Sequence, residues 1–304
     1  MLLSICIPTK DRAFYLKETL DSIINDNVSP DLYEIVISDN SDNNETKLLA
    51  EQYSSAGINM VYYKNPEKGF YNSIQALKLG NGDLLKLHND YTKFKPGAFC
   101  LFVNMVKENK KNHPQILFTD GNLKKKVAIP SCDFDKFIRD SSYWNTWSSA
   151  FSIWKMDFEK LKFERSFLND QFPHTSLLFQ LKKKKTFLID DMEYFSNSAV
   201  SKKGGYNIFY NFCVIYIEML NGLRDSNSIT KLTYNYIKNK MKWEFIPLWY
   251  YLTIETKGDF SFDNSSFYEN IRKHYSILDY VEIILRVKVY KLYKILKNKM
   301  HCLN

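Results

Sequence analysis

The chain has 304 residues, with 25% charged, 45% apolar and 16% aromatic side chains. Those proportions exclude a disordered or fibrous chain and fit one or two globular domains. A formal net charge of +8 suits an anionic partner, whether nucleic acid, an anionic membrane surface or a phosphorylated substrate.

The first 120 residues alternate strand and helix patterns. "LLSICIP" is a continuous apolar run, as in a strand buried on both faces. "RAFYLKETLDSIIND" follows as a helix with Leu16, Leu20, Ile23 and Ile24 on one stripe. "YEIVISD" is a strand and "NNETKLLAEQYSSAG" a helix that stops at Gly57. "INMVYYKN", "GFYNSIQALKLG" and "DLLKLH" continue as strand, helix and strand, and "AFCLFVNMVKENKK" is a helix after Pro96-Gly97. This order predicts an α/β fold with a mostly parallel sheet flanked by helices. Ligands of such sheets bind at the carboxyl ends of the strands.

Beyond residue 115 the pattern is mixed. "QILFTD", "KVAI", "TWSSAFSIW" and "TFLIDDMEYF" read as strands, and "DQFPHTSLLFQLKK" as a helix. From about 205 helices dominate, with a turn near "TKGDFSFDN". In the last helical segment Leu285, Val289, Leu292, Tyr293 and Leu296 share one arc, and Arg286, Lys288, Lys291, Lys294 and Lys297 occupy the rest. Two readings stay open: a helix lying on an anionic membrane, or one packed on its own domain with a solvated lysine face.

Cys6, Cys100, Cys132, Cys213 and Cys302 are scattered and include no CxxC pair, so a reducing compartment and no structural zinc are expected. No basic n-region precedes the first strand, so no signal peptide is expected. No run approaches the roughly 20 apolar residues that cross a bilayer. The expected location is cytoplasmic, with peripheral attachment to the inner face of the cell membrane as an option.

Four strand ends carry polar residues. "PTKDR" offers Pro8, Thr9, Asp11 and Arg12 at a loop-to-helix junction, where free N–H groups meet phosphate; an N-cap is the plainer reading. "ISDNSDN" places Asp39 where a base N–H or ribose hydroxyl is met, although turn chemistry explains it too. In "NPEKGFYNS", Gly69 allows a sharp turn and Asn72 opens a helix. "HND" ends the fourth strand, where Asp90 suits Mg²⁺ or Mn²⁺ on a diphosphate and His88 suits Mn²⁺.

Taken together, these four blocks resemble family 2 glycosyltransferases of GT-A fold. "ICIPTKDRAFYLKETLDSI", "EIVISDNSDN", "KNPEKGFYNSIQALKLGNGDLLKLHND" and "FKPGAF" carry the resemblance, over about residues 1–110 well and 140–195 weakly. It implies a GT-A domain over 1–200, with a nucleotide-binding half (1–110) and an acceptor half (111–200), and a helical C-terminal region over 201–304. It implies an inverting enzyme that moves a sugar from a nucleotide-sugar donor to a glycan or lipid-linked acceptor, in bacterial capsule or lipopolysaccharide synthesis.

By position, Pro8, Thr9, Asp11, Arg12, Asp39, Gly69, Asn72, His88 and Asn89 would line the nucleotide. Asp90, with His88, would hold a divalent metal, Mn²⁺ or Mg²⁺. His88 stands where the family's motif has an aspartate, which keeps open a degenerate nucleotide-sugar-binding or scaffold protein. Asp170 is the expected catalytic base, with Glu164 and Asp157 as alternatives. His174 is a candidate for ligating a metal or orienting the acceptor, Asp190-Asp191 a rival metal pair, and Trp144, Trp147 and Trp154 candidates for stacking on sugars. The basic residues form no recognised nucleic-acid module, so no nucleic-acid partner is expected.

Overall fold

The computed structural model describes residues 1–301; Cys302 and the side chain of Lys297 lie outside what is described. The chain divides into two compact units, Met1–Ala199 and a second that begins at Val200.

The first unit opens with β1 (Leu3–Thr9), α1 (Ala13–Ile24), β2 (Tyr33–Asp39), α2 (Glu45–Ser55), β3 (Met60–Lys64), α3 (Asn72–Leu79), β4 (Leu84–Leu87), β5 (Thr92–Phe94) and α4 (Ala98–Asn109). Then come β6 (Gln115–Phe118), β7 (Ala128–Ser131), α5 (Phe134–Ser141), β8 (Ser152–Trp154), α6 (Lys155–Phe158), α7 (Pro173–Gln180), β9 (Phe187–Asp190) and β10 (Phe195–Asn197). The main sheet has the order β3-β2-β1-β4-β8. Its first four strands are parallel and β8 is antiparallel to β4. A second sheet has the order β6-β9-β7, and β5 pairs antiparallel with β10.

Helices cover both faces of the main sheet, which is why β1 and β4 are apolar nearly throughout. On one face Leu3, Ile5, Ile7, Ile35 and Ile37 pack with Leu16, Leu20 and Ile23 of α1 and Phe99 and Phe102 of α4. Helix α3 lies against β1 and β2. Strand β4 is preceded by Gly82, whose N–H donates to the Ser4 hydroxyl at 2.7 Å. A Cβ there would stand 2.6 Å from the Leu3 and Ser4 backbone.

The first four strands and the helices between them lie where the alternating pattern predicts them. Three expectations are corrected. "TWSSAFSIW" is a strand only over Ser152–Trp154, and turns of 3-10 helix precede it. "TFLIDDMEYF" is two strands, because Asp191 stops the first. Its carboxylate accepts from the backbone N–H groups of Leu123, Lys125 and Lys126 and from the Thr119 hydroxyl, which turns the chain. The helix expected from Asp170 starts three residues later, at Pro173, where proline's missing N–H costs nothing.

In the second unit, helices span 208–225 and 231–255, with π turns at Asn211–Ile215, Met241–Phe245 and Tyr251–Glu255. Part of the segment read as a turn, Phe260–Asp263, is a strand (β12) that pairs parallel with β11 (Lys203–Asn207). A helix over Phe267–Arg272 precedes the last one, Ile277–His301. Ile283 and Val287 of that last helix are buried, whereas the arc read from the sequence, Leu285, Val289, Leu292, Tyr293 and Leu296, is exposed. Among the described residues, no helix is long and apolar enough to cross a membrane.

Candidate active site

Parallel pairing brings the ends of β1, β2 and β4 to one edge of the sheet. Register places Thr9 beside Asp39, and the loop after β4 delivers Asp90 to Thr9. The Thr9 hydroxyl donates to Asp90 Oδ2 at 2.7 Å, and Arg12 Nη1 lies 3.3 Å from Oδ1. Thr19 of α1 donates to the Asp90 carbonyl at 3.0 Å. Burial pushes the Asp90 carboxyl above its ordinary value; Arg12 and the Thr9 hydroxyl oppose that shift. Arg12 is about one-third exposed and faces the Tyr91 ring.

Asp39 is buried at the end of β2. Its carboxylate accepts from the Tyr62 hydroxyl at 2.8 Å and the Ser41 N–H at 2.8 Å, with the Lys64 ammonium at 3.3 Å. Asp11 has φ of 52°, and its carboxylate accepts from Asp42 N–H at 3.0 Å, which ties the β1 loop to the β2 loop. Asn72 is buried and braces three segments at once. Its amide nitrogen donates to the carbonyls of Thr9 and Ser38, and its oxygen accepts from Ser38 and Asn65. Gly69 has φ of 101°, a left-handed conformation that favours glycine. Pro8 pairs with Ser38 in the sheet.

Asn89 sits on the β8 side. It accepts from the Ser148 hydroxyl at 2.8 Å and donates its backbone N–H to Ser149 at 2.9 Å. Lys86, fully buried on β4, reaches the carbonyls of Leu87 and Ser149. Burial lowers its ammonium to about 7. The loop before β8 is thus fastened to β4 by the buried Lys86 side chain.

A cation that bridges a diphosphate needs one or two carboxylates, with phosphate and water completing its shell. Asp90 fits that need. His88 does not. Its ring stacks on Phe94 at 5.2 Å and meets the edge of Phe195 at 5.3 Å. Nε2 donates to the Thr92 carbonyl at 2.6 Å, and Nδ1 is buried without a partner. Burial lowers the imidazole to about 3. The ring fills an aromatic pocket formed by β5 and β10, and the hydrogen bond that its Nε2 makes goes to the Thr92 carbonyl. Among the described residues no three His, Cys, Asp or Glu side chains converge as a metal site. The rival pair is structural: Asp191 is occupied as described above, and Asp190 accepts from the Tyr194 hydroxyl and Met192 N–H.

Asp170 is exposed in the loop before α7, and Arg165 holds it at 3.1 Å. Arg165 also pairs with Glu67 and lies 3.3 Å from the Tyr71 ring centroid. Asp170 is therefore held beside the Glu67–Tyr71 segment, next to Gly69. It caps nothing: Asn169 accepts from the N–H groups of Gln171 and Phe172. Glu164 is exposed nearby. Asp157 is paired with Lys184. His174 is buried, donates to the Thr146 carbonyl at 2.9 Å and is lowered to about 4 by burial. Trp154 is core, with its indole N–H on the Pro114 carbonyl, whereas Trp144 and Trp147 are half-buried.

A sequence model of glycosyl transferase family 2 matches residues 4–165. That span includes the ends of β1, β2 and β4 and more than half of the chain. The chain belongs to glycosyl transferase family 2.

Solved structures agree on the fold. S. aureus TarS 1-349 superposes with a TM-score of 0.57 at 13% identity, over 84% of this chain and 76% of that one. The same protein in complex with UDP gives 0.57 at 14% identity over the same shares. S. aureus TarS gives 0.52 at 16% identity, and 45% of its length is covered. No curated protein matches the chain by sequence. The family 2 chain is thus a GT-A α/β domain, with a helical region after it.

Proposed function

We propose that this protein is an inverting glycosyltransferase that transfers a sugar from a nucleotide-sugar donor to a hydroxyl of a glycan or lipid-linked acceptor in bacterial surface polysaccharide synthesis. The observation that carries the reading is the meeting of Thr9, Arg12 and Asp90 at the sheet edge of a family 2 domain, with Asp170 paired to Arg165, which stands over the Tyr71 ring. The UDP complex of the TarS fold relative supports a nucleotide-binding role for this edge.

Asp39 and Asn72 shape the base and ribose side, with Pro8, Asp11 and Gly69 setting the backbone. Arg12 brings a positive charge to the diphosphate. A divalent cation, Mn²⁺ or Mg²⁺, held by Asp90 would further neutralise the leaving nucleoside diphosphate. Asp170 takes the acceptor's hydroxyl proton as that oxygen attacks C1. The C1–O bond to the diphosphate breaks, its electron pair leaves with the nucleotide, and the configuration at C1 inverts.

The test is a screen of UDP-, GDP- and CMP-sugars that measures nucleotide release, with Asp90→Ala and Asp170→Asn as controls. Release by the native chain, lost in both variants, supports the reading. The engagement of both Asp90 oxygens by Thr9 and Arg12 favours a second reading, a nucleotide-sugar-binding scaffold. Tight nucleotide binding without release from any donor would establish that one instead.

A further inference from the structure

The last helix, Ile277–His301, has two apolar faces. One packs into its own unit through Ile283 and Val287. The Tyr280 and Tyr290 rings meet Tyr268 and Tyr251 there, each at 5.0 Å. The other face is exposed and runs most of the helix: Leu278, Val281, Leu285, Val289, Leu292 and Leu296. At about 100° per residue these six fall within an arc of about 80°, opposite Val287. Leu278 is 72% exposed and the others are about half exposed or more. A continuous apolar row of this kind marks an interaction surface.

Charge decides what covers it. Arg286 and Lys288 are exposed and flank the row on its two sides. The two acids of the helix, Asp279 and Glu282, are both bound by Lys242, at 2.7 Å each. No acid follows Glu282 in the sequence, and Lys291, on the inward side of the helix, is paired with Glu255 at 2.6 Å. Among the described residues the outward face therefore offers Arg286 and Lys288 beside the apolar row. A second copy laid on the same row would set these cations against each other, in either direction, while the nearby acids, Asp279 and Glu282, are already held by Lys242. An anionic lipid surface accepts both features: acyl chains take the leucines and valines, and headgroups take the cations.

We propose that the exposed row of Ile277–His301 docks this protein on an anionic membrane surface, the helix lying in the plane of the interface. The inward face keeps the helix folded on its unit, so docking needs no unfolding.

The test uses the full chain with phosphatidylcholine vesicles, with and without phosphatidylglycerol, in a flotation assay. Binding to the anionic vesicles is expected at least tenfold above neutral ones, and weaker at high salt. Leu285→Ser with Val289→Ser should lower it at least tenfold without moving Tm, because both side chains are already in solvent; Arg286→Glu with Lys288→Glu should do the same. Binding that ignores lipid charge, binding unaffected by the two serines, or no binding to either vesicle would overturn the proposal. So would a dimer in sedimentation equilibrium that the two serines abolish, which would assign the row to a second copy. None of these outcomes depends on glycosyl transfer.

Discussion

Arg165 and Asp170 are joined by an ion pair of 3.1 Å, and the same guanidinium stands over the Tyr71 ring and reaches Glu67. An exposed pair of this kind adds less than about 1 kcal/mol to stability. Its consequence is positional, since it fixes a carboxylate beside the turn that opens α3. Asp170→Asn should lower kcat by about 10²- to 10⁴-fold, the range for a lost general base, and leave the Kd for nucleotide unchanged. Stopped-assay kinetics with calorimetric nucleotide binding check this; equal losses in both would remove Asp170 from the chemistry.

Asp90 and His88 should separate cleanly. Asp90→Ala should weaken nucleoside diphosphate binding in Mn²⁺, with little effect in EDTA. His88→Ala should leave the Mn²⁺ concentration for half-maximal activity unchanged. It should cost about 2–4 kcal/mol in stability, because a ring is removed from between Phe94 and Phe195. Denaturant melts and a Mn²⁺ titration of each variant decide it. A raised Mn²⁺ requirement at unchanged stability would return His88 to the cation.

Gly82→Ala should destabilise the first unit by about 1–3 kcal/mol, since the new methyl meets backbone rather than a side chain that can swing away. Urea unfolding followed by tryptophan fluorescence measures it. An unchanged midpoint would mean that β4 can shift relative to β1.

His174 gives a pH dependence. Its imidazole is buried neutral and titrates at about 4 when folded, below the ordinary value near 6.5. Between those values the unfolded chain binds the proton and the folded chain does not. Stability is therefore full above pH 6.5 and falls as pH drops towards 4, by on the order of 3 kcal/mol. His174→Gln keeps a donor for the Thr146 carbonyl but cannot titrate. Its Tm should fall less steeply over that window; equal slopes would exclude this contribution.

The alternating half of the fold was legible because continuous apolar strands and striped helices leave few alternatives. Thr9, Asp39 and Asp90 were legible for the same reason, as polar residues at the ends of buried strands. Arg165 was not, because its role depends on Glu67, Tyr71 and Asp170 meeting through the fold rather than on spacing. The aromatic pocket of His88 was not legible, because Phe195, which closes it, lies more than one hundred residues further on. Lys86 left a signal that was not taken up: a single cation inside the apolar run "LLKLH". Strand β12 was hidden inside "TKGDFSFDN", whose Gly and Asp residues read as a turn.

Asn72 uses the full hydrogen-bonding capacity of one amide to bind Thr9, Ser38 and Asn65 together. The donor side of the cleft is thereby assembled before any ligand arrives. Its entropy has been spent during folding, so nucleotide recognition should show little reorganisation and a small heat-capacity change. Whatever adaptation accompanies the second substrate then belongs to the Glu67–Asp170 region, which is held by exposed charges instead of a buried amide.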